Sequence, residues 1–243
     1  MMKYITKTDL YIVSRYSGVV MICVGLMCLF PLLIDLIYFE FNYACFIIPG
    51  VFSVILGYIC MKALDKYSNS KMRLKHGMMI SSIAWMWASV IGGVVISLAT
   101  GTDFLNGIFE STSALTGTGI TMFDNVEILP HSILYFRAFE QWVGGLGVVV
   151  MMIGILTRPG TASAKLYQSE AREERLKPSV KTTLKKTIEI YLIYTIIGII
   201  LYLLAGMPAF DSVCTTFCMI ATGGMSIKNA NIGYYHNDLI YLI

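Results

Sequence analysis

Long apolar runs separated by short polar connections dominate this chain. A helix needs roughly 20 apolar residues to cross the hydrocarbon core of a bilayer, and runs of that length are too long for the strands of a globular sheet. The pattern predicts an all-α integral membrane protein with five complete membrane-spanning helices, at residues 17–38, 43–64, 78–100, 132–157 and 187–206. A sixth apolar segment begins at Asp238, and because the sequence stops six residues into it, we expect a fragment of a longer protein.

A shorter helix interrupts this pattern between the third and fourth predicted spans. Residues 104–115 (FLNGIFESTSAL) are compatible with a helix, and Thr102 or Asp103 precedes them as an N-cap residue. These 12 residues rise only about 18 Å, which is too little to cross a bilayer. Because the connection 101–131 is entered and left on the same side, the short helix is expected to enter the membrane and return.

The residues after the short helix, 116–121 (TGTGIT), suit neither a stable helix nor a buried core. Unpaired backbone carbonyls at membrane depth are tolerated only where they face protein or a water-filled path, and there they can replace the hydration shell of a cation. Glycine allows the positive φ angles that turn successive carbonyls toward one axis, and the negative end of the helix dipole points to the same place. The stretch is typical of a cation filter, although a tight turn or a small-residue helix contact uses the same residue types.

The same arrangement recurs after the fifth predicted span. Residues 210–221 predict a second short helix, and the sequence TGGMS follows it. An offset of 104 positions places Thr118 and Gly119 on Thr222 and Gly223. Two such units in series form an internal repeat, which favours the filter over the ordinary turn.

Composition and charge indicate how the chain is placed in a membrane. The sequence is 56% hydrophobic and 14% charged, with a mean hydropathy of +0.70, which excludes an ordinary soluble domain. All of the 18 lysines and arginines except Arg137 and Lys228 fall on one side of the predicted helices, so that side and the N-terminus are predicted to be cytoplasmic. The other side carries the acidic residues Glu40, Asp103, Asp124, Glu127, Asp211 and Asp238. Either these residues concentrate cations at an outer mouth, or the outer loops are simply poor in basic residues and the acids have no such role.

Two charged residues fall inside a predicted span. Arg137 and Glu140 lie near the start of the fourth helix, and a charge at membrane depth is a functional candidate. Their spacing of three places them on one helix face, so they could pair with each other, Arg137 could brace the filter loops, or one of them could contact the ion. Further along the same helix, Gly144, Gly145 and Gly147 predict close helix packing or a bend.

The residue pattern does not suggest an enzyme. The three histidines are far apart, and the sequence holds no phosphate-binding Gly-Lys-Ser/Thr loop and no convergent nucleophile and base. We therefore expect no catalysis, no bound cofactor and no nucleic acid partner. Cys214 and Cys218 are spaced four apart and could in principle bind a soft metal, but without further Cys or His nearby they are better explained as packing residues.

These residues resemble the TrkH/KtrB superfamily of potassium transporters, which is related to the plant HKT proteins. The resemblance covers roughly residues 76–240 and rests on FNGIFESTSALTGTGIT with FRAFEQWVGGLGVVVM, on KLYQSEAREERLKPSVKTTLKKT, and on TTFCMIATGGMSIKNANIGYYH. It implies tandem helix–pore-loop–helix units (M1-P-M2), four in one polypeptide around a pseudo-fourfold pore, preceded by two extra transmembrane helices. Because only two units are present, we expect either a fragment or, less simply, a pore completed by two copies.

The resemblance also implies a division of the chain. Residues 1–75 would hold the two extra transmembrane helices, and residues 76–160 the first M1-P-M2 repeat. Residues 161–186 would form a cytoplasmic connector. Residues 187–243 would hold the second M1-P repeat with a truncated M2 helix.

Carried over position by position, Gly119 and Gly223 match the filter glycines of the family. Glycine at this position is associated with potassium selectivity, whereas serine in the first unit goes with sodium permeation, so the resemblance implies K+ as the transported ion. The approach to the two glycines would be formed by Thr116, Gly117, Thr118, Ile220, Ala221 and Thr222.

The resemblance further implies partners and a location. It predicts potassium uptake across the plasma membrane by a homodimer embedded in the lipid bilayer. The cytoplasmic connector would dock a ring of nucleotide-binding regulatory subunits of the TrkA/KtrA type. The residues alone leave an alternative open, a non-conducting membrane scaffold or assembly protein that retains the repeat only as a fold.

Overall fold

The computed structural model describes residues 6–67, 73–156 and 180–243, and these parts are helical with irregular connections. Residues 157–179, which hold much of the predicted connector, lie outside the described residues. The described ranges contain nine α-helices: α1 (Lys7–Met27), α2 (Leu32–Tyr38), α3 (Tyr43–Ala63), α4 (Leu74–Thr100), α5 (Phe104–Thr116), α6 (His131–Leu156), α7 (Val180–Leu204), α8 (Ala209–Ile220) and α9 (Asp238–Leu242).

The first predicted span ends at residue 38, as it does in the structure, but its predicted start is wrong. Instead of one helix over residues 17–38, the chain forms α1, which begins ten residues earlier, and the short α2, with a turn at residues 28–31 between them. The early start is explained by a capping box, in which Thr6 Oγ1 accepts from Asp9 N and the Asp9 carboxylate accepts from Thr6 N. Pro31 lacks the N–H that a continuous helix needs, and it stands as the N-cap of α2.

Four segments of the described chain are long and apolar enough to cross a membrane, and they correspond to four of the five predicted spans. The remaining one, the fourth predicted span at residues 132–157, corresponds to α6, which has 26 residues and so extends about 39 Å. Its first half buries Arg137, Glu140 and Gln141, so α6 is a long helix with a polar side toward the protein. The four segments are Lys7–Tyr38, Tyr43–Ala63, Lys75–Thr100 and Thr182–Leu204.

The helices α1 and α3 pack against each other through glycines. A Cβ atom on Gly18 would lie 2.6 Å from the Gly57 carbonyl oxygen, and one on Gly25 would lie 2.5 Å from the Gly50 carbonyl oxygen. Such distances leave no room for a side chain, so the two backbones approach closely at two levels seven residues apart. Ser53 joins this pair to α4, because its hydroxyl donates to the Met21 carbonyl at 2.7 Å and accepts from the Trp87 indole N–H at 2.8 Å.

Two short helices are enclosed by the long ones. The helix α5 packs between α4 and α6, and α8 packs between α6 and α7. With 13 and 12 residues, each rises only about 18–20 Å, which confirms the prediction that neither crosses a bilayer. Asp103 is the N-cap of α5, accepting a hydrogen bond from Leu105 N at 3.2 Å, which decides between the two predicted capping residues.

Candidate functional site

The two short helices end beside each other in irregular loops. We call residues 117–130 the first loop and residues 221–230 the second loop. The loops touch at the predicted filter glycines, because a Cβ atom on Gly119 would lie 2.2 Å from the Gly223 carbonyl oxygen. The end of the bundle that carries both loops is called the upper end.

The backbone of the first loop turns its direction at two glycines. Gly117 has φ 69° and Gly119 has φ 76°, a left-handed conformation that only glycine adopts at low cost. The second loop places its left-handed residues at Thr222 (φ 52°) and Gly224 (φ 77°). The two loops are thus repeats in sequence and position, but their left-handed residues are offset by 105 positions rather than by the 104 of the sequence alignment.

Four successive carbonyls of residues 116–119 accept no hydrogen bond from the described parts of the chain. The same holds for Ile220 at the end of α8 and for Thr222 in the second loop, whereas the Ala221 carbonyl accepts from the Thr222 hydroxyl at 2.7 Å. Thr116 and Thr118 are exposed and Gly117 and Gly119 are half-buried, so this run of carbonyls borders open space beside the loops. Such a run can replace the water ligands of a dehydrated cation.

Two pockets lie on either side of these carbonyls. The lower pocket has a volume of about 350 Å³ and is lined by residues that include Thr116, Gly117, Ala221 and Thr222. The upper pocket has a volume of about 260 Å³, and residues lining it include Gly119, Thr121, Asp124, Gly224 and Lys228. Residues 116–119 and 221–224 therefore lie between two pockets, an upper one with a mixed polar lining and a lower one whose lining also includes Leu115, Val148, Val149 and Ile220.

A buried ion pair braces both loops. Arg137 of α6 donates from Nε to Oε1 of Glu110 on α5 at 2.6 Å, and 2% and 0% of the two side chains are exposed. The Glu110 carboxylate also accepts from Thr121 Oγ1 at 2.9 Å and from Met122 N at 2.7 Å in the first loop. Arg137 Nη1 donates to the Ser226 carbonyl of the second loop at 3.4 Å.

Of the three alternatives considered for Arg137, the structure therefore shows that it braces the loops. The pairing of Arg137 with Glu140 is wrong, because Glu140 instead accepts a hydrogen bond from Ser111 Oγ at 2.6 Å. Glu110 was not predicted from the sequence, although a carboxylate in an apolar short helix is a signal that a buried cation must be its partner.

Gln141 lies one helical turn after Arg137 and holds the second loop. Its Nε2 donates to the Gly223 carbonyl at 2.7 Å, and its Oε1 accepts from Met225 N at 3.4 Å. A Cβ atom on Gly223 would lie 2.2 Å from Gln141 Cδ, so only glycine fits there without displacing Gln141. The Gly223 carbonyl thus has a partner in the protein, unlike those of residues 116–119. Gln141 was not predicted from the sequence either, and only its i+4 spacing from Arg137 pointed to this face.

The glycines of α6 contact the ends of the two short helices. A Cβ atom on Gly144 would lie 1.9 Å from the Leu115 carbonyl oxygen, and one on Gly145 would lie 3.0 Å from Ala221 Cβ. The predicted packing role is therefore confirmed for Gly144 and Gly145, and it serves the two loops directly. It is not seen at Gly147, where a Cβ atom would lie 4.0 Å from the nearest atom, on Trp85. Cys214 and Cys218 are buried in α8, and the described residues hold no group of three or more His, Cys, Asp or Glu arranged for a metal ion.

Two asparagines join the loops at their upper rim. Asn229 Nδ2 donates to Asn125 Oδ1 at 2.7 Å, and Asn229 Oδ1 accepts from Val126 N at 2.9 Å. Asn229 N donates to Glu127 Oε1 at 2.9 Å. The two asparagines are 104 positions apart, so the offset of the sequence repeat reappears as a direct contact between equivalent residues.

The upper end of α6 is capped by a residue distant in sequence. The Glu40 carboxylate accepts hydrogen bonds from Ser132 N at 3.0 Å, from Ser132 Oγ at 2.6 Å and from His131 N. Partial burial by itself raises the pKa of Glu40, but the hydrogen bonds from Ser132 and His131 outweigh it, so the pKa lies below its ordinary value. A carboxylate at a helix N-terminus also interacts favourably with the helix dipole.

Comparison with known proteins identifies the family. The profile described as "TrkH: Cation transport protein" matches residues 46–243, which is most of the chain. The chain belongs to the TrkH cation transport family. As a TrkH-family chain it is a multi-pass membrane protein of a transporter class and not an enzyme.

Relatives and a solved structure agree with this assignment. The chain is 39% identical to an uncharacterised cation transporter of Methanocaldococcus jannaschii over 98% of its own length and 50% of the relative's. It is 31% identical to the Trk system potassium uptake protein TrkH of Halomonas elongata, over 97% and 50% of the two chains. It is 32% identical to the potassium uptake protein TrkG of Escherichia coli K12, over 96% and 49%.

The fold matches a solved TrkH-family member. The crystal structure of the potassium transporter TrkH from Vibrio parahaemolyticus superimposes with a TM-score of 0.83 at 27% identity, covering 96% of this chain and 47% of that one. The TrkH-family chain thus spans about half the length of the relatives it matches.

Proposed function

We propose that this chain forms half of the ion path of a potassium uptake transporter. In this proposal, the carbonyls of residues 116–119 replace part of the hydration shell of K+, and the second loop supplies the neighbouring quarter of a fourfold filter. Residues 220–223 fill that role, with Gly223 held in place by Gln141. The ion is driven by the membrane potential, which supplies about 2.3 kcal/mol per elementary charge per 100 mV.

The observation that carries the proposal is the run of four carbonyls, without a hydrogen-bond partner in the described chain, that lies between two pockets. Water, which would otherwise pair these oxygens, is scarce at membrane depth, so unpaired carbonyls there are costly unless they line an ion path. The C-terminal ends of α5 and α8 add partial negative charge at the same level. Both features favour a cation over an anion.

The wider assembly is also a proposal. Because relatives of this chain are potassium uptake proteins about twice its length, two further repeats are needed to complete a fourfold pore. We infer a plasma-membrane location with the N-terminus and the predicted connector in the cytoplasm, since the basic residues lie on that side. A homodimer that docks nucleotide-binding subunits of the TrkA/KtrA type is the proposed working form.

The test is rubidium uptake by the product of this gene, purified and reconstituted into liposomes. Gly119→Ser places a Cβ against the Gly223 carbonyl in a left-handed conformation, so the two loops must separate. We expect the preference for rubidium over sodium to fall about tenfold, which equals about 1.4 kcal/mol of lost discrimination.

Gly101→Ser is the matched control. Gly101 has φ 71°, and no atom lies within 4 Å of the position that a Cβ would take there, so this variant carries the same backbone strain away from both loops. Equal selectivity of the Gly119 and Gly101 variants would overturn the filter assignment. A well-folded wild type that takes up no rubidium would support the non-conducting scaffold instead.

A further inference from the structure

The upper pocket contains equivalent residues of opposite charge. Asp124 of the first loop and Lys228 of the second loop both line it, and they are 104 positions apart, which is the offset of the internal repeat. The neighbouring Asn125 and Asn229 hydrogen-bond to each other at 2.7 Å. This contact fixes the two loops at the same level, so Asp124 and Lys228 face one space from its two sides.

The positive charge of Lys228 is held in position. Its Nζ lies 3.7 Å from Asp211 Oδ2 and 4.6 Å from the centre of the Tyr234 ring. Asp211 is itself bound by the Tyr235 hydroxyl at 2.7 Å. The side chain of Lys228 is 24% exposed, so the ammonium group is fixed at the wall of the pocket but is not removed from solvent.

Two other charged residues line the upper pocket, Arg137 and Asp124. The charge of Arg137 is compensated by Glu110 at 2.6 Å, whereas the pair of Lys228 with Asp211 is longer, at 3.7 Å, and more exposed, so the charge of Lys228 is only partly offset. Asp124 is exposed and forms no ion pair within the described chain. Asp124 and Lys228 therefore act in opposite directions on the electrostatic potential of this space.

We propose that Lys228 is a fixed cation at the mouth of the ion path that lowers the local concentration of cations, and of divalent cations most. This inference rests on the proposed function, because it assumes that cations enter through the upper pocket. A unit charge about 6–8 Å from an ion in water changes its local concentration about two- to threefold. For a divalent ion the same potential acts on twice the charge, so the factor is squared, to about four- to ninefold.

The experiment measures rubidium uptake by the reconstituted product of the gene at an ionic strength of about 10 mM, where surface charges act over about 30 Å. K228Q is expected to lower the half-saturating rubidium concentration about two- to threefold and the blocking concentration of Mg²⁺ about four- to ninefold. K228E is expected to lower both concentrations further than K228Q does, and K228R is expected to match the wild type. D124N is expected to raise both concentrations. In about 1 M of an impermeant salt, all these differences should shrink toward the wild-type values.

Lys186→Gln is the control for loss of a lysine. Lys186 lies near the start of α7, where it pairs with Glu189 at 3.0 Å, and it is absent from the lining of the upper pocket. The Lys186→Gln variant should therefore leave the half-saturating rubidium concentration and the blocking concentration of Mg²⁺ unchanged.

Three results would overturn the inference. K228E with wild-type affinity and wild-type Mg²⁺ block would show that the charge at position 228 does not act on the entering ion. Shifts that persist unchanged at high salt would show a structural effect of the lost lysine. Absence of rubidium uptake by the wild type would refute the proposed function, and the inference would fall with it.

Discussion

Arg137 and Glu110 form a buried ion pair at the point where α5, α6 and the two loops meet, with 2.6 Å between Nε and Oε1. The same two side chains hydrogen-bond to Thr121, Met122 and Ser226, so one contact orders both loops. Removing one partner leaves the other as an uncompensated charge in the protein interior, which costs much more than an exposed pair does.

Arg137→Met is therefore expected to lower the free energy of unfolding by about 3–5 kcal/mol, and Glu110→Gln to lower it in the same direction. The measurement is thermal and denaturant unfolding of the detergent-purified protein. Arg15→Met serves as the control, since Arg15 pairs with Asp65 at 3.2 Å and 69% of that aspartate side chain is exposed. The control should cost at most about 1 kcal/mol, and equal losses in both variants would contradict the bracing role.

Gln141→Met tests the support of the second loop. The thioether fills a similar volume but cannot donate to the Gly223 carbonyl, so one buried acceptor loses its partner. We expect a loss of about 1–3 kcal/mol in stability together with reduced rubidium uptake, because the second loop is no longer fixed to α6.

Trp142→Phe is the matched variant for Gln141. It removes the hydrogen bond from the indole N–H to Thr195 Oγ1 at 3.0 Å, at the adjacent position of the same helix but toward α7. The Trp142→Phe variant should lose about as much stability as Gln141→Met does, but its rubidium uptake should match that of the wild type. If the two variants reduce uptake equally, Gln141 has no special part in holding the loop.

The capping of α6 by Glu40 predicts a pH dependence. Because the pKa of Glu40 is lower in the folded protein than its ordinary value of 4.5, its contribution is fully present above that value and is lost as the pH falls through the folded pKa. At pH 7, Glu40→Gln should reduce stability by about 1 kcal/mol. Melting temperatures measured from pH 7 downward should begin to converge for the two proteins once the pH falls below the ordinary value of 4.5 and should meet below the folded pKa of Glu40, whereas a constant difference would refute ionic capping by Glu40.

Much of the fold was predictable because membrane burial imposes simple length rules. A run of about 20 apolar residues can satisfy its backbone only as a helix, and the short helices before each loop were recognised as too short to cross. The start of α1 was not predicted, because Thr6 and Asp9 precede the apolar run from which the first helix was predicted.

The sequence by itself determined the apolar helices, the two short helices and the repeat offset of 104, because these depend on local composition and spacing. Only the tertiary structure decided which polar groups meet. Glu110 lies 27 positions before Arg137, and Gln141 lies 82 positions before Gly223, so no local pattern links them. Their pairing follows from packing α5, α6 and α8 together, where each buried charge or carbonyl must take the nearest complementary group to offset its lost hydration.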